Sequence, residues 1–260
     1  MSTLKSKAEQ ILQEKETNII PENIKDGVQI FGVTGDYIGG DSIDLTTGIK
    51  FAESSFSTLP DNIINANWEN ITNMSYMFSN CASLTTIPQL NTANVVNMSY
   101  LFQGCVSLTS VALLDTTNVI DMSGMFADCG NLTTIPQLNT SNVVYMDSMF
   151  SGCTSLTTLP QLNTSNLKYA GFMFNYCSSL TTVSGLDFSN VVEIQSMFEG
   201  CSNLQELDIR TLDFNSASGV DENFLTNVPN NCHIKVSSSE FKDLLLEYYP
   251  DLTNIEVVTN

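Results

Sequence analysis

A chain of 260 residues with 42% hydrophobic content has enough apolar material for a large core, which excludes wholesale disorder. Nine Lys and Arg against 28 Asp and Glu give a net charge of −19, and because only 14% of residues are charged, the acidity comes from missing bases. Without a basic patch there is nothing to neutralise a phosphate backbone or hold an anionic membrane, so nucleic-acid and membrane functions are excluded, and a single His removes most catalytic constellations.

Residues 3–16 predict a helix with Leu4, Ala8 and Ile11 on one face, ended by Pro21. This start lacks the apolar segment of a secretory signal, and no run in the chain nears the roughly 20 apolar residues that span a bilayer. Synthesis in the cytoplasm without general export is the expectation. The stretch VQIFGVTGDY follows, with Gly27, Gly32 and Gly35 marking tight turns. Residues 1–40 therefore read as a helix plus short β unit, either a second cap or an adaptor docking onto another protein. Residues 41–69 read as an N-terminal capping coil, in which Phe51, Phe56 and Leu59-Pro60 echo later positions out of register.

Residues 70–209 hold six uninterrupted copies of a 24-residue unit. Cys81, Cys105, Cys129, Cys153, Cys177 and Cys201 keep this period, and so do the Phe residues from Phe78 to Phe198. A Leu follows each Cys by three, and an Ile, Val or Leu by six. Asn recurs at 70, 94, 118, 142, 166 and 190. One such unit cannot close a core, but stacked on a copy of itself it shares one, so the period means a solenoid. Within a unit Met146, Met149, Phe150 and Cys153 are spaced i, i+3, i+4, i+7, which predicts a short helix. Leu156 to Leu159 predicts a short strand ending at Pro160, and Val143-Val144-Tyr145 a second extended segment. Residues 210–260 read as a C-terminal cap: a strand at Cys232 to Val236, a helix opened by a Ser-x-x-Glu cap, and a last strand at Ile255 to Val258.

The unit Met-x-x-Met-Phe-x-x-Cys-x-x-Leu-x-x-Ile-Pro resembles the BspA-like leucine-rich repeats of bacterial surface proteins. The resemblance implies an α/β fold, a right-handed leucine-rich-repeat-like solenoid of six coils with two caps, working by adhesion or recognition. Residues 19–37, through Pro21-Glu22-Asn23-Ile24-Lys25, Gly27-Val28, Ile30 and Gly32-Val33-Thr34-Gly35, resemble a motif of tail-associated proteins from phages and prophages of Gram-positive bacteria. That likeness implies virion or tail proteins as partners of residues 1–40.

Several features invite chemistry. A ladder of single cysteines places equivalent side chains parallel and ~4.8 Å apart, unsuited to disulfides or to four-ligand zinc, so it reads as buried reduced thiols. The Asn row offers Ca²⁺ oxygens or, more simply, bonds to each residue's own turn. Thr rows at 85/109/133/157/181 and beside them (Ser at 110) place one hydroxyl row in solvent, as on ice-binding surfaces or merely as strand formers. His233 beside Cys232 and Ser237–Ser239 is the only candidate dyad, against an ordinary cap residue. No catalytic residue, metal or cofactor is assigned.

The variable positions carry the binding site. The column Asn73, Asn97, Asp121, Tyr145, Tyr169, Glu193 turns aromatic in copies four and five. Phe172 and Tyr176 follow Tyr169 at i+3 and i+7, beside Lys168, so Tyr145, Tyr169, Phe172, Tyr176 and Lys168 form a candidate ligand patch for sugar rings or a protein. The competing reading has Phe172 filling a void left where Ala170 replaces the usual Met. The expected function is a non-enzymatic, tail-associated protein binding a protein or glycan on a bacterial host. The alternatives are a secreted or surface-anchored adhesin whose signal is missing and an intracellular protein-binding scaffold.

Overall fold

A coil that cannot close its own core must meet its neighbour twice, through side chains and through backbone. The computed structural model describes residues 28–30, 33–35, 51, 55–59, 64, 68–220 and 222–259. In it the 24-residue units stack as an α/β, leucine-rich-repeat-like solenoid. The predicted helix over residues 3–16 lies outside the described residues. Within 28–35 the backbone forms an antiparallel pair, β1 (Val28–Ile30) with β2 (Val33–Gly35).

One backbone ladder runs the length of the stack. Asn73, Asn97, Asp121, Tyr145, Tyr169, Glu193 and Ser218 bridge in parallel, each to the next. The Val96, Ile120 and Val144 N–H groups donate to Thr72, Val96 and Ile120 at 2.8, 2.9 and 2.9 Å. The second ladder is interrupted. Strands β3 (Thr86–Ile87) and β4 (Ser110–Val111) pair in parallel near one end. At the other end β5 (Thr182–Val183), β6 (Glu206–Asp208), β7 (His233–Val236) and β8 (Ile255–Val257) form a four-stranded parallel sheet in that order. The gap has a covalent cause. Ala112 donates its N–H to Ile87 at 2.9 Å, but Pro136 and Pro160 stand at the equivalent places and have none to give.

The Met-Phe-Cys segment is a chain of linked turns, not the short helix its spacing predicts. Ser148 and Gly152 sit at φ 57° and 71°, left-handed conformations that no α-helix admits. Every second N–H closes a turn: Met149 onto Met146, Ser151 onto Ser148 and Cys153 onto Phe150, at 3.0–3.1 Å. The alternate N–H groups of Met146, Ser148, Phe150 and Gly152 reach the next coil instead, at Tyr169, Gly171, Met173 and Asn175, 2.8–3.0 Å away. A helix would turn the Phe150 and Gly152 donors back onto Met146 and Ser148. The turns spend half of the donors between coils and still bury Met146, Met149, Phe150 and Cys153 completely.

The inward columns are uniform. Phe51, Phe78, Phe102, Phe126, Phe150, Phe174 and Phe198 stack with ring centroids 5.7–6.0 Å apart and planes within 19°. Phe51 thus heads the column out of period, and Phe224 turns edge-on at 73° to end it. Each ladder Cys donates its thiol to the carbonyl of the Phe in the coil before, from Cys81 to Phe51 through Cys201 to Phe174, at 3.1–3.2 Å. A small side chain with a weak donor fits this slot, and all seven cysteines are free and buried.

A buried Thr column was not foreseen. Thr92, Thr116 and Thr140 donate to the backbone carbonyls of Asp115, Asn139 and Asn163 at 2.8–2.9 Å, and Thr140 also accepts from the N–H of Asn163. The Asn row behaves differently from expectation. Asn94, Asn118, Asn142, Asn166 and Asn190 donate to carbonyls of the preceding coil, 25 residues back, so they staple coils together from the exposed side.

At the C-terminal end, helix α1 (Ser239–Tyr248) is capped by the Ser238 side chain, which accepts the Phe241 N–H at 3.1 Å. It buries Phe241 and Leu245, and Phe241 stacks on Phe214 at 4.7 Å.

Two predictions follow from the columns. Phe150→Ala, at the middle of the stack, should destabilise by about 3–5 kcal/mol in a denaturant melt. Thr140→Val keeps volume but strands the bonds at Asn163, so about 1–3 kcal/mol should be lost, whereas Thr134→Val on the exposed row should stay within about 0.5 kcal/mol.

Candidate functional site

With the inner columns fixed by packing, coil-to-coil variation falls on the outside. In the first three coils Asn73, Asn97 and Asp121 accept the N–H groups of Ser75, Ser99 and Ser123 at 2.8–2.9 Å. A tyrosine cannot close that turn. In coils four and five Tyr145 and Tyr169 occupy the column and stack instead, with centroids 4.9 Å apart and planes at 6°. Tyr145 remains 40% exposed. Each ring covers one face of the other, so the pair offers edges and hydroxyls to solvent more than open faces. Lys168, exposed, precedes Tyr169 on the ladder and donates its own N–H to Val144 at 3.0 Å. Two residues after Tyr145, Asp147 accepts the Gly171 N–H at 3.0 Å. Partial burial, with Glu193 adding to it, holds the Asp147 carboxyl above its ordinary value.

Phe172 and Tyr176 lie on the same coil, but the helical spacing that would align them with Tyr169 is absent. Both sit in the left-handed region, at φ 58° and 55°, and neither joins a ring pair. Phe172 is 36% exposed while Ala170 is fully buried, so Phe172 does not fill the slot of the missing Met. Tyr176 lies with its ring against the Gly200 backbone, 52% exposed, and its hydroxyl donates to Glu199 Oε1 at 3.1 Å.

A second pair was missed. Tyr76 and Tyr100 stack at 4.7 Å and 9°, in the column that Phe172 shares. The Tyr100 ring lies across Gly124, where a Cβ would stand 2.3 Å from it. Burial, then Tyr76, Asp147 and Asp121, push the Tyr100 phenol above its ordinary value. The signal was available: two tyrosines 24 apart, in a column already singled out at 172.

The other candidates resolve simply. The strand alternation turns Cys232 inward and His233 outward, and His233 Nε2 meets Glu256 Oε2 at 2.8 Å, so the two form no dyad. Both Thr rows lie at the surface, and Thr85, Thr109 and Thr181 turn their hydroxyls back onto carbonyls of the preceding coil. Burial pushes the Cys153 and Cys201 thiols up to about 12. Among the described residues no cluster of His, Cys, Asp or Glu is placed to hold a metal ion, and no helix is long and apolar enough to cross a membrane.

The repeat that builds this surface is a known one. A family model described as "Mycoplasma protein of unknown function, DUF285" matches residues 49–134 and 109–212. The chain belongs to the DUF285 family. No curated protein matches it significantly. Among solved structures, the DUF285 chain is similar to the T. pallidum leucine-rich repeat protein TpLRR, at 21% identity and a TM-score of 0.46, over 90% of this chain and 97% of that one. It is also similar to a leucine-rich repeat protein from Bacteroides ovatus ATCC 8483, at 20% identity and a TM-score of 0.39, over 70% of this chain and 56% of that one. The DUF285 solenoid itself is defined by its ladders and columns.

Gly124→Ala should destabilise by about 1–2 kcal/mol, because a side chain at φ 59° is strained and must displace the Tyr100 ring. The thiols give a pH prediction. Their folded pKa lies above the ordinary 9.0, so their stabilising effect is complete below pH 9 and fades as pH rises toward about 12. Denaturant melts across that window should show the decline, and a thiol reagent at pH 8 should label the ladder cysteines only on unfolding.

Proposed function

We propose that the chain is a non-catalytic recognition protein, associated with the tail of a phage or prophage, that binds the surface of a Gram-positive host. The observation that carries recognition is the contrast between columns. Inward positions keep one residue type in most coils, with departures such as Ala170 and Phe188 staying buried and apolar, whereas the outward column at 73–193 changes from turn-closing Asn and Asp to a stacked tyrosine pair, with Tyr145 exposed and Tyr169 half-buried. Packing does not demand that change, and exposed Tyr is the residue type that anchors interfaces. Phe172, Tyr176 and Lys168 extend the surface on the fifth coil. The association with a tail is supported by residues 19–37, whose sequence resembles tail-associated proteins, and it assigns residues 1–40 to docking on virion proteins.

The test is binding of fluorescent protein to intact Gram-positive cells, beside a Tyr145→Ala/Tyr169→Ala variant. The rings lie outside the core, so the variant should melt like the wild type and bind at least tenfold more weakly. Absence of wild-type binding, or equal binding by the variant, contradicts the reading.

A further inference from the structure

Away from the tyrosine pairs, the Gln-Leu-Asn-Thr turns of successive coils line an open groove of about 860 Å³, within the range of small-molecule sites. Its floor is the buried Leu114, Leu138 and Leu162 with the buried Thr column. Its walls repeat at the coil spacing. One row runs Gln89, Leu113, Gln137, Gln161, Gly185 and the other Asp115, Asn139, Asn163, Asp187. Part of this polar surface is already engaged: Gln137 Nε2 donates to the Gln161 carbonyl, and Asn139 and Asn163 accept the N–H groups of Ser141 and Ser165. The exposed amides of Gln89 and Gln161 have no such role in holding the turns. Leu113, 58% exposed, adds one apolar surface among them.

Three features of the groove select its ligand. Among the described residues its lining contains no Lys, Arg or His, and Asp115 and Asp187 stand near its two ends, so an anionic chain is repelled. Amides present donors and acceptors side by side, the complement of hydroxyl groups that also do both. The spacing decides between chains. Parallel coils recur every ~4.8 Å, whereas an extended peptide returns a side chain to one face only every ~6.6 Å, so a peptide running along the groove falls out of step within two coils. A pyranose ring is about as long as one coil is thick. We infer that this groove binds a neutral, linear oligosaccharide along the solenoid axis, about one hexose per coil, with Gln89 and Gln161 bonding hydroxyls and Leu113 covering a C–H face. The inference stands apart from the tyrosine surface, since it uses different residues.

The probes are cellotetraose and tetra-N-acetylchitotetraose, with tetragalacturonate as the anionic control and a neutral octapeptide of Ser, Ala and Thr as the peptide control, each titrated calorimetrically into the full chain. At least one neutral tetrasaccharide should bind, tetragalacturonate should not, and Gln89→Leu/Gln161→Leu should weaken binding at least tenfold with an unchanged melt. The single variant Gln161→Asn, one methylene shorter, should weaken it in the same direction and serves if the double variant is unstable. Tyr145→Ala/Tyr169→Ala should leave the affinity as it is, which separates this groove from the cell-binding surface. The inference is overturned if neither tetrasaccharide binds, if tetragalacturonate or the peptide binds as well, or if the Gln variants bind like the wild type.

Discussion

Everything in this molecule depends on how a coil divides its backbone N–H groups between itself and its neighbour. Buried backbone donors must find partners, and beyond its first turn a helix finds them within its own segment. Here alternate donors close tight turns while the others cross to the next coil, from Met146, Ser148, Phe150 and Gly152 to Tyr169, Gly171, Met173 and Asn175. That division requires a left-handed residue every fourth position, at Ser148 and Gly152 and their equivalents. It also sets the register at 24 residues, because one inserted residue would exchange turn donors for crossing donors. The Phe stack and the Cys thiols then follow. From Phe78 to Phe174, each Phe carbonyl accepts one turn N–H from its own coil and one thiol from the next.

This constraint explains why variety is concentrated on the outside. A side chain pointing inward meets its own equivalent in the coils before and after, so inward departures such as Ala170 and Phe188 are few. Outward columns carry no such penalty. A left-handed position tolerates Tyr76, Gly124, Ser148 or Phe172, and the ladder column tolerates Asn, Asp, Tyr or Glu. The Tyr145–Tyr169 pair shows how stacking takes over when a turn-closing Asn or Asp is lost.

Much of the architecture was legible in the sequence because the period never breaks. The six units, the buried Phe and Cys columns and the parallel stacking come from spacing alone. The helix at 239–248 came from its Ser cap, and the strands at 233–236 and 255–257 from β-branched residues between turns. The linked turns were not legible from apolar spacing, since i, i+3, i+4, i+7 suits a helix and these turns equally. The distinguishing signal lay one residue before five of the six ladder Cys, where Asn80, Gly104, Asp128, Gly152 and Gly200 are the residue types that accept a left-handed backbone, Tyr176 being the exception. Ladder donors at 136 and 160 were lost to Pro, as the sequence states, but their effect on pairing needed the register. Of the surface, the neighbouring placement of Tyr145 and Tyr169 on successive coils followed from the period, and their stacking did not. The positions of Phe172 and Tyr176 did not, because their placement was drawn on a helix that the chain does not form.

Amide hydrogen exchange in the fourth coil tests the central claim most directly. If the solenoid is held by donors shared between coils, Met146, Ser148, Phe150 and Gly152 exchange only with global unfolding, as slowly as Met149, Ser151 and Cys153. Rapid exchange at the first four, with protection kept at the other three, would mean that the coils close their own turns and do not share their backbones.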